Sequence, residues 1–122
     1  MEKIKNFTNL TTWQQGHQLV LQIYQTTKGF PKDETFGLVS QMRRSAVSIT
    51  SNIAEGFSRQ SWKEKLHFYS FAEGSVTELQ NQLLVARDVK YITNDKFQTI
   101  AKLTVEVHKL LNGLIKKCKS FT

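Results

Sequence analysis

Apolar residues recur every three or four positions in four segments of the chain, the spacing that places side chains on one face of an α-helix. The first stripe consists of Trp13, His17, Val20, Tyr24 and Thr27. Thr11 or Thr12 is suited to cap this helix, and Gly29 followed by Phe30-Pro31 ends it, because proline cannot continue a helix. The pattern predicts a first helix over about residues 12–28.

The second segment has two interpretations. Its helical stripe consists of Leu38, Met42, Ser45, Ile49 and Ile53. Asp33 and Glu34 precede the stripe and suit the positive start of a helix. Val47 and Thr50 are β-branched, as are both isoleucines, so a short strand is the competing interpretation. The repeated spacing favours a helix over about residues 33–55, ended by Gly56.

Capping residues mark the third and fourth segments. Ser61 and Glu64 have the spacing of a capping box, and Thr93 can cap the last helix. The third stripe contains Trp62, Leu66, Tyr69, Ala72, Val76, Leu79, Leu83 and Ala86, and the fourth contains Phe97, Ile100, Thr104, Val107, Leu111 and Leu114. These patterns predict helices over about residues 61–89 and 94–117.

Four amphipathic helices joined by short links predict an all-α, up-down-up-down four-helix bundle, and a chain of 122 residues suits a single domain. Further apolar residues widen the first and third stripes beyond one bundle seam: Leu19, Leu21, Ile23, Phe68, Phe71 and Val85. This surplus of apolar surface predicts that the chain associates with itself.

The segment Ser45–Ala54 contains no charged residue, although 22% of the chain is charged. Its hydroxyl and amide groups indicate an element that is covered on most sides, either inside one core or in a contact between subunits. We therefore predict a set of buried polar or interface residues: Arg43, Arg44, Ser48, Asn52 and Glu55, with Ser75 and Glu78 as partners on the third helix. Removing one partner of a buried ion pair lowers the free energy of unfolding by about 3–5 kcal/mol.

The chain carries 17 basic and 10 acidic residues and has a net charge of +7. Such a charge is typical of nucleic-acid-binding proteins, but it also occurs in proteins that are basic without binding a polyanion. Lysines outnumber arginines 13 to 4, which favours diffuse attraction to phosphates over the reading of bases. The single cysteine, the absence of a long apolar run and the polar start Met1–Asn6 suit a cytoplasmic protein without a membrane segment.

Basic residues concentrate in two places, which we predict to contact nucleic acid. The candidates are Lys109, Lys116, Lys117 and Lys119 near the C-terminus, and Arg59, Lys63 and Lys65 around the link between the second and third helices. Trp62 lies within the second group and either stacks on a base or packs at the helix start. The C-terminal lysines have an equally simple role in stabilising the negative end of the last helix.

The sequence predicts no enzyme, cofactor or metal site. A di-iron site in a four-helix bundle needs two Glu-x-x-His pairs, and only Glu64 and His67 form one, while Glu106 and His108 have the wrong spacing. The sequence contains no Cys-x-x-Cys zinc pair, phosphate-binding P-loop or hydrolase nucleophile motif. Cys118 lies among lysines near the end of the chain, where a thiol without a neighbouring base is usually incidental.

The stretch Phe36–Gly56, with its core Met42-Arg-Arg-Ser-Ala-Val-Ser-Ile-Thr-Ser-Asn-Ile-Ala-Glu-Gly56, resembles the signature of bacterial proteins encoded within intervening sequences of 23S rRNA genes. The same pattern continues in order at Trp13-Gln14, Ile23-Tyr24, Phe30-Pro31, Ala72–Ser75, Glu78-Leu79 and Tyr91-Ile92. The chain departs from it at Ser45 and Thr50, where the family usually has alanine and proline.

This resemblance implies a left-handed four-helix bundle that assembles as a homopentamer, in a family without an established biochemical role. A related branch, the accessory protein of diversity-generating retroelements, implies RNA or DNA and a reverse transcriptase as partners. Two hypotheses are therefore carried forward. The chain is a non-enzymatic nucleic-acid-binding accessory factor, or it is a homo-oligomeric scaffold that contacts another protein and binds no nucleic acid.

Overall fold

The computed structural model describes residues 5–122, so the first four residues of the polar N-terminal segment lie outside the described part. Four helices dominate it: α1 (Thr11–Thr27), α2 (Ser40–Ser58), α3 (Trp62–Asp88) and α4 (Asn94–Ser120). A short 3-10 turn, Phe7–Asn9, precedes α1, and the described residues form no strand. The predicted all-α class and four-helix architecture are confirmed.

The helices pack in sequence, each against the next, and α1 also packs against α4 to close the bundle. Contacts between α2 and α3 run from Ser45 with Glu78 to Gly56 with Tyr69, so these helices are antiparallel. The interior is aliphatic, and its largest fully buried apolar residues are Leu19, Ile23, Met42, Ile49, Ile53, Leu79, Leu83, Ile100 and Leu111. Within the described residues, no helix is long and apolar enough to span a membrane.

The predicted stripes of α2, α3 and α4 match the buried faces closely. Met42, Ser45, Ile49 and Ile53 are buried on α2, which confirms the helix and removes the strand alternative. On α4 the buried stripe continues past the predicted end, through Ile115 to Cys118.

The predicted stripe of α1 is only partly correct. The buried residues are Thr12, Gly16, Leu19, Ile23 and Thr27, so the buried face shares Thr27 with the predicted stripe but is offset from it elsewhere. A Cβ atom at Gly16 would lie 3.1 Å from the Thr50 Cγ2 atom, so α1 and α2 are close here and a large side chain is excluded. Trp13 therefore lies beside the seam, where it stacks on His17 with ring centroids 4.7 Å apart. Neither predicted cap holds, because the helix begins after Leu10 without a side-chain cap.

The predicted start of α2 is also wrong. Residues Lys32–Glu34 form a 3-10 turn, and Thr35–Val39 form a wide turn with a non-helical Gly37. The Glu34 carboxylate accepts hydrogen bonds from the Leu38 amide at 3.2 Å and from the Tyr91 hydroxyl at 2.8 Å. Glu34 thus stabilises the tight entry to α2, and neither Asp33 nor Glu34 lies in the first regular turn of that helix.

Gly56 does not end α2, which continues to Ser58. It is buried against α3, where an added Cβ would lie 2.6 Å from the Tyr69 Cε1 atom and 3.2 Å from the Phe68 Cβ atom. The glycine is therefore required by the close approach of two helices.

The predicted caps of α3 and α4 are present. The Ser61 hydroxyl accepts from the Glu64 amide, and the Thr93 hydroxyl accepts from the Lys96 amide, both at 3.1 Å. At the other end of α3, Lys90 has a φ of 67°. The Tyr91 amide donates to the Ala86 carbonyl at 2.9 Å and the Lys90 amide donates to the Arg87 carbonyl at 3.0 Å. These bonds form a Schellman motif with lysine in the position that favours glycine.

Lys90→Gly is expected to raise the free energy of unfolding by about 0.5–1 kcal/mol, because glycine adopts the left-handed conformation without a Cβ clash. Urea denaturation of both proteins at equal concentration measures this change. Lys90→Ala, which keeps the Cβ atom, is the control and should leave stability nearly unchanged.

Candidate nucleic-acid interface

The fold brings the two predicted basic clusters to the same end of the bundle. The end of α2, the start of α3 and the end of α4 all lie there, because consecutive helices run in opposite directions. We call this surface the basic end; its cations are Arg59, Lys63, Lys65, Lys116, Lys117 and Lys119. Lys109 lies on an exposed turn of α4 seven positions before Lys116, about 10 Å along the helix axis, and is therefore separate.

Trp62 joins the two clusters. Its ring stacks on Phe121 with centroids 4.7 Å apart and an angle of 19° between planes. The Lys65 and Lys117 ammonium groups lie 6.0 and 5.6 Å from the Trp62 ring centroid, at the range of a cation–π interaction. The indole is half-buried and already stacked, which favours its predicted structural role over base stacking.

Lys65 is held by the end of α2. Its ammonium group donates to the backbone carbonyls of Phe57 at 2.8 Å and Gly56 at 3.3 Å, which satisfies helix-end acceptors. Burial lowers the pKa of Lys65, and the nearby Cys118 opposes that shift. Lys65 therefore contributes charge to the basic end but is committed to positioning α2 against α3.

Arg59 forms one wall of a shallow groove beside this cluster. Its guanidinium carbon lies 4.6 Å from the Phe68 ring centroid, and its terminal nitrogen lies 3.1 Å from a Glu55 oxygen. The groove has a volume of about 430 Å³ and is lined by Arg59, Lys63, Glu64, His67 and Phe68. It offers a charged and partly aromatic surface at the basic end, whose exposed lysines are Lys63, Lys116, Lys117 and Lys119.

Cys118 was interpreted from the sequence as an incidental thiol near the end of the chain, but the structure gives it a packing role. It is fully buried on α4. Burial raises the pKa of its thiol, an effect that Lys65 and Lys117 partly offset. Cys118 is therefore a core residue that lies beneath the surface of the basic end.

A second polar region lies between α2 and α3. The Ser45 hydroxyl donates to the Glu78 carboxylate, and the Ser48 and Ser75 hydroxyls lie 2.8 Å apart. Asn52 donates from its amide to the Ser48 backbone carbonyl at 2.8 Å. Of the predicted α2 residues, Ser48 meets the predicted partner Ser75, whereas Asn52 bonds within α2. The contact with Glu78 comes from Ser45, which was not in the predicted set. Whether these residues also form a subunit contact stays a prediction.

The two arginines that precede the uncharged segment differ in their contacts and exposure. Arg43 donates to the Thr27 hydroxyl at 3.0 Å and to the Tyr24 carbonyl at 3.3 Å, so it joins α2 to the end of α1. Arg44 is exposed. Within one chain, Arg43 is therefore the arginine that contacts a neighbouring helix, and whether Arg44 lies in a contact between subunits stays a prediction.

Glu55 is also exposed, and its side chain retains 54% of its accessible surface. It pairs with Arg59 one helical turn away, so within the described part of one chain it does not pair with another helix; a contact with another subunit stays a prediction. Glu55→Ala should therefore change the free energy of unfolding by only about 0–1 kcal/mol. Urea denaturation checks this; a loss of about 3–5 kcal/mol would instead place Glu55 in a buried contact between subunits.

Residues 5–122 contain no group of three histidine, cysteine, aspartate or glutamate side chains that could hold a metal ion. Glu64 lies at the α3 cap, while His108 pairs with Glu73 at 3.3 Å and faces away from Glu106. The half-site suggested by Glu64 and His67 gains no further ligands in the described structure.

Three comparisons place the chain among known proteins. A family described as 23S rRNA-intervening sequence protein matches residues 8–113. The fold is similar to a crystal structure from Bacteroides thetaiotaomicron, a protein of unknown function from the S23 ribosomal protein family, with a TM-score of 0.80 and 24% identity. That match covers 86% of this chain and 95% of the other. No curated protein matches the chain. The chain belongs to the 23S rRNA-intervening sequence protein family.

Proposed function

We propose that the protein is a non-enzymatic nucleic-acid-binding factor that contacts phosphates through the basic end. The observation that carries the proposal is the meeting of the two basic clusters around Trp62, with Lys65 and Lys117 at 6.0 and 5.6 Å from its ring. Ammonium groups attract phosphates without reading bases, so we expect binding with little sequence preference.

The balance of charge at the basic end supports this proposal. Glu55 and Glu64 are the acids beside its six cations, and Glu55 is already paired with Arg59. Lys63, Lys116, Lys117 and Lys119 have exposed side chains, so their charge is available to a ligand. Structured RNA is the first ligand to test, because the names of the matching family and of the structural neighbour refer to ribosomal RNA and to a ribosomal protein family.

Self-association would strengthen such a site. Large apolar side chains remain exposed on several helices: Leu21, Val47, Phe71, Leu84, Val85 and Val105. Covering them in a homo-oligomer, as the resemblance to pentameric relatives implies, would repeat the basic end in one particle. Repeated weak sites then act together through avidity.

The alternative is a homo-oligomeric scaffold that contacts another protein, such as a reverse transcriptase, and whose charge only keeps it in solution. The same exposed apolar residues support this alternative. The two functions differ in their response to salt, because only phosphate contacts release condensed counterions.

Fluorescence anisotropy with a labelled structured RNA and a labelled DNA duplex tests the proposal. We expect saturable binding at about 50 mM salt, with the logarithm of affinity falling linearly against the logarithm of salt. Absence of binding to both ligands at that salt would reject the proposal and favour the scaffold.

A further inference from the structure

A polar groove between α2 and α3 lies apart from the basic end. Its volume is about 630 Å³, and the contacts of Ser45 with Glu78 and of Ser48 with Ser75 form its floor. The remaining lining residues are Gln41, Arg44, Asn81 and Gln82. Hydroxyl, amide and carboxylate groups therefore face one space, and no aromatic side chain lines it.

Among the described residues, one acceptor in this groove lacks a donor, and one carboxylate lacks a basic partner. Gln82 is buried, with 7% of its surface exposed, and its Oε1 atom has no hydrogen-bond partner among the described residues. Glu78 accepts from the Ser45 hydroxyl, and no basic side chain of residues 5–122 forms an ion pair with it. A buried acceptor without a partner is unfavourable, so the groove is suited to a ligand that supplies donors.

We infer that this groove binds a guanidinium group, supplied by a free arginine-like molecule or by an arginine of a polypeptide. Glu78 and Gln82 are one helical turn apart on α3 and both line the groove, so their side chains are neighbours there. A guanidinium is planar and carries five N–H donors, so it can bond a carboxylate in a bidentate manner and also reach a neighbouring amide oxygen.

The charged groups of the groove determine whether a change in the ligand or the protein strengthens or weakens guanidinium binding. Glu78 supplies the negative charge that attracts the ligand, and a citrulline of the same shape lacks the matching positive charge. Arg44 lines the groove and is exposed, so it repels the ligand and competes for Glu78. Replacing Arg44 by glutamine should therefore tighten guanidinium binding, whereas Glu78→Gln should weaken it by about tenfold or more.

NMR titration of the labelled protein with N-acetyl-arginine amide tests the inference. We expect saturable shifts in the backbone signals of residues 41–48 and 75–82, and none with the citrulline analogue. A short blocked peptide with one central arginine forms the second arm. Tighter binding of the peptide identifies a polypeptide as the source, and equal binding identifies a free small molecule.

Two further variants separate ligand binding from a structural role. Gln82→Met removes the unpartnered acceptor while nearly keeping its volume, so it should raise the urea midpoint of the free protein and weaken guanidinium binding. Glu106→Gln removes an exposed carboxylate elsewhere and should leave binding unchanged. Equal binding of citrulline, or equal loss of binding in the Glu78 and Glu106 variants, would overturn the inference. RNA binding by the Glu78 variant should not decrease, which keeps this test independent of the basic end.

Discussion

Gly56→Ala is expected to destabilise the protein by about 1–3 kcal/mol. The new methyl group would lie 2.6 Å from Cε1 and 2.9 Å from Cδ1 of the Tyr69 ring, distances that carbon atoms do not reach without displacement. The ring is enclosed by the core, because Tyr69 is only 3% exposed. The same burial raises the pKa of Tyr69 to about 12. The two helices must therefore separate locally. Urea denaturation at a fixed protein concentration measures the loss.

Gly74→Ala is the matched control. Gly74 lies within α3, and a Cβ atom there would meet nothing within 4 Å. Alanine should stabilise this position by about 0.5–1 kcal/mol, because it restricts the unfolded chain and favours the helix. A loss of stability at both positions would mean that glycine is needed for backbone conformation, and a gain at both would contradict the close contact at Gly56.

Neutralising the exposed lysines of the basic end should weaken nucleic-acid binding by about a hundredfold or more at about 50 mM salt. The end variant replaces Lys63, Lys116, Lys117 and Lys119 by glutamine. Lys65 and Arg59 are kept, because Lys65 bonds the end of α2 and Arg59 packs on Phe68. The end variant should therefore keep its fold. Circular dichroism and urea denaturation check this before fluorescence anisotropy measures the affinity of the variant for nucleic acid.

A second variant also replaces four lysines by glutamine and so has the same net charge as the end variant, but these lysines lie elsewhere on the surface. It replaces Lys28, Lys32, Lys90 and Lys102, which are exposed and lie away from the basic end, by glutamine. If binding depends only on total charge, both variants lose affinity equally. The account predicts instead that this charge-matched variant stays within about threefold of wild type, since distant charges are screened beyond roughly 10 Å in ordinary buffer.

The periodicity of the sequence predicts the buried faces of α2, α3 and α4 well. The errors on α1 and at Gly56 have the same cause, a close contact between two helices. On α1, the aromatic residues Trp13 and Tyr24 suggested the buried face, but the close approach at Gly16 turns the neighbouring face, with Leu19 and Ile23, inward. Gly56 was interpreted as a helix end because the sequence does not show that another helix packs closely against it. A glycine that ends a helix and a glycine at a helix crossing look alike in one sequence, because the difference depends on a neighbouring helix.

The candidate site was predictable in part. Up-down topology places the link between α2 and α3 beside the end of α4, so the meeting of Arg59 and Lys63 with Lys117 follows from the order of helices. The exposure of Glu55 does not follow, because a charged residue beside an uncharged segment is compatible with either a buried or a solvent-facing position. Gln82 was missed as well: it lies one position before Leu83 of the predicted core, and its burial depends on how α2 covers α3.

The most direct test of the central claim is the salt dependence of RNA binding by wild type, the end variant and the charge-matched variant. Each phosphate contact contributes about 0.7–0.9 to the slope of log affinity against log salt. We expect the slope to fall by about 3 in the end variant and to remain that of wild type in the charge-matched variant. Equal slopes for the two variants would contradict a phosphate-binding surface at the basic end.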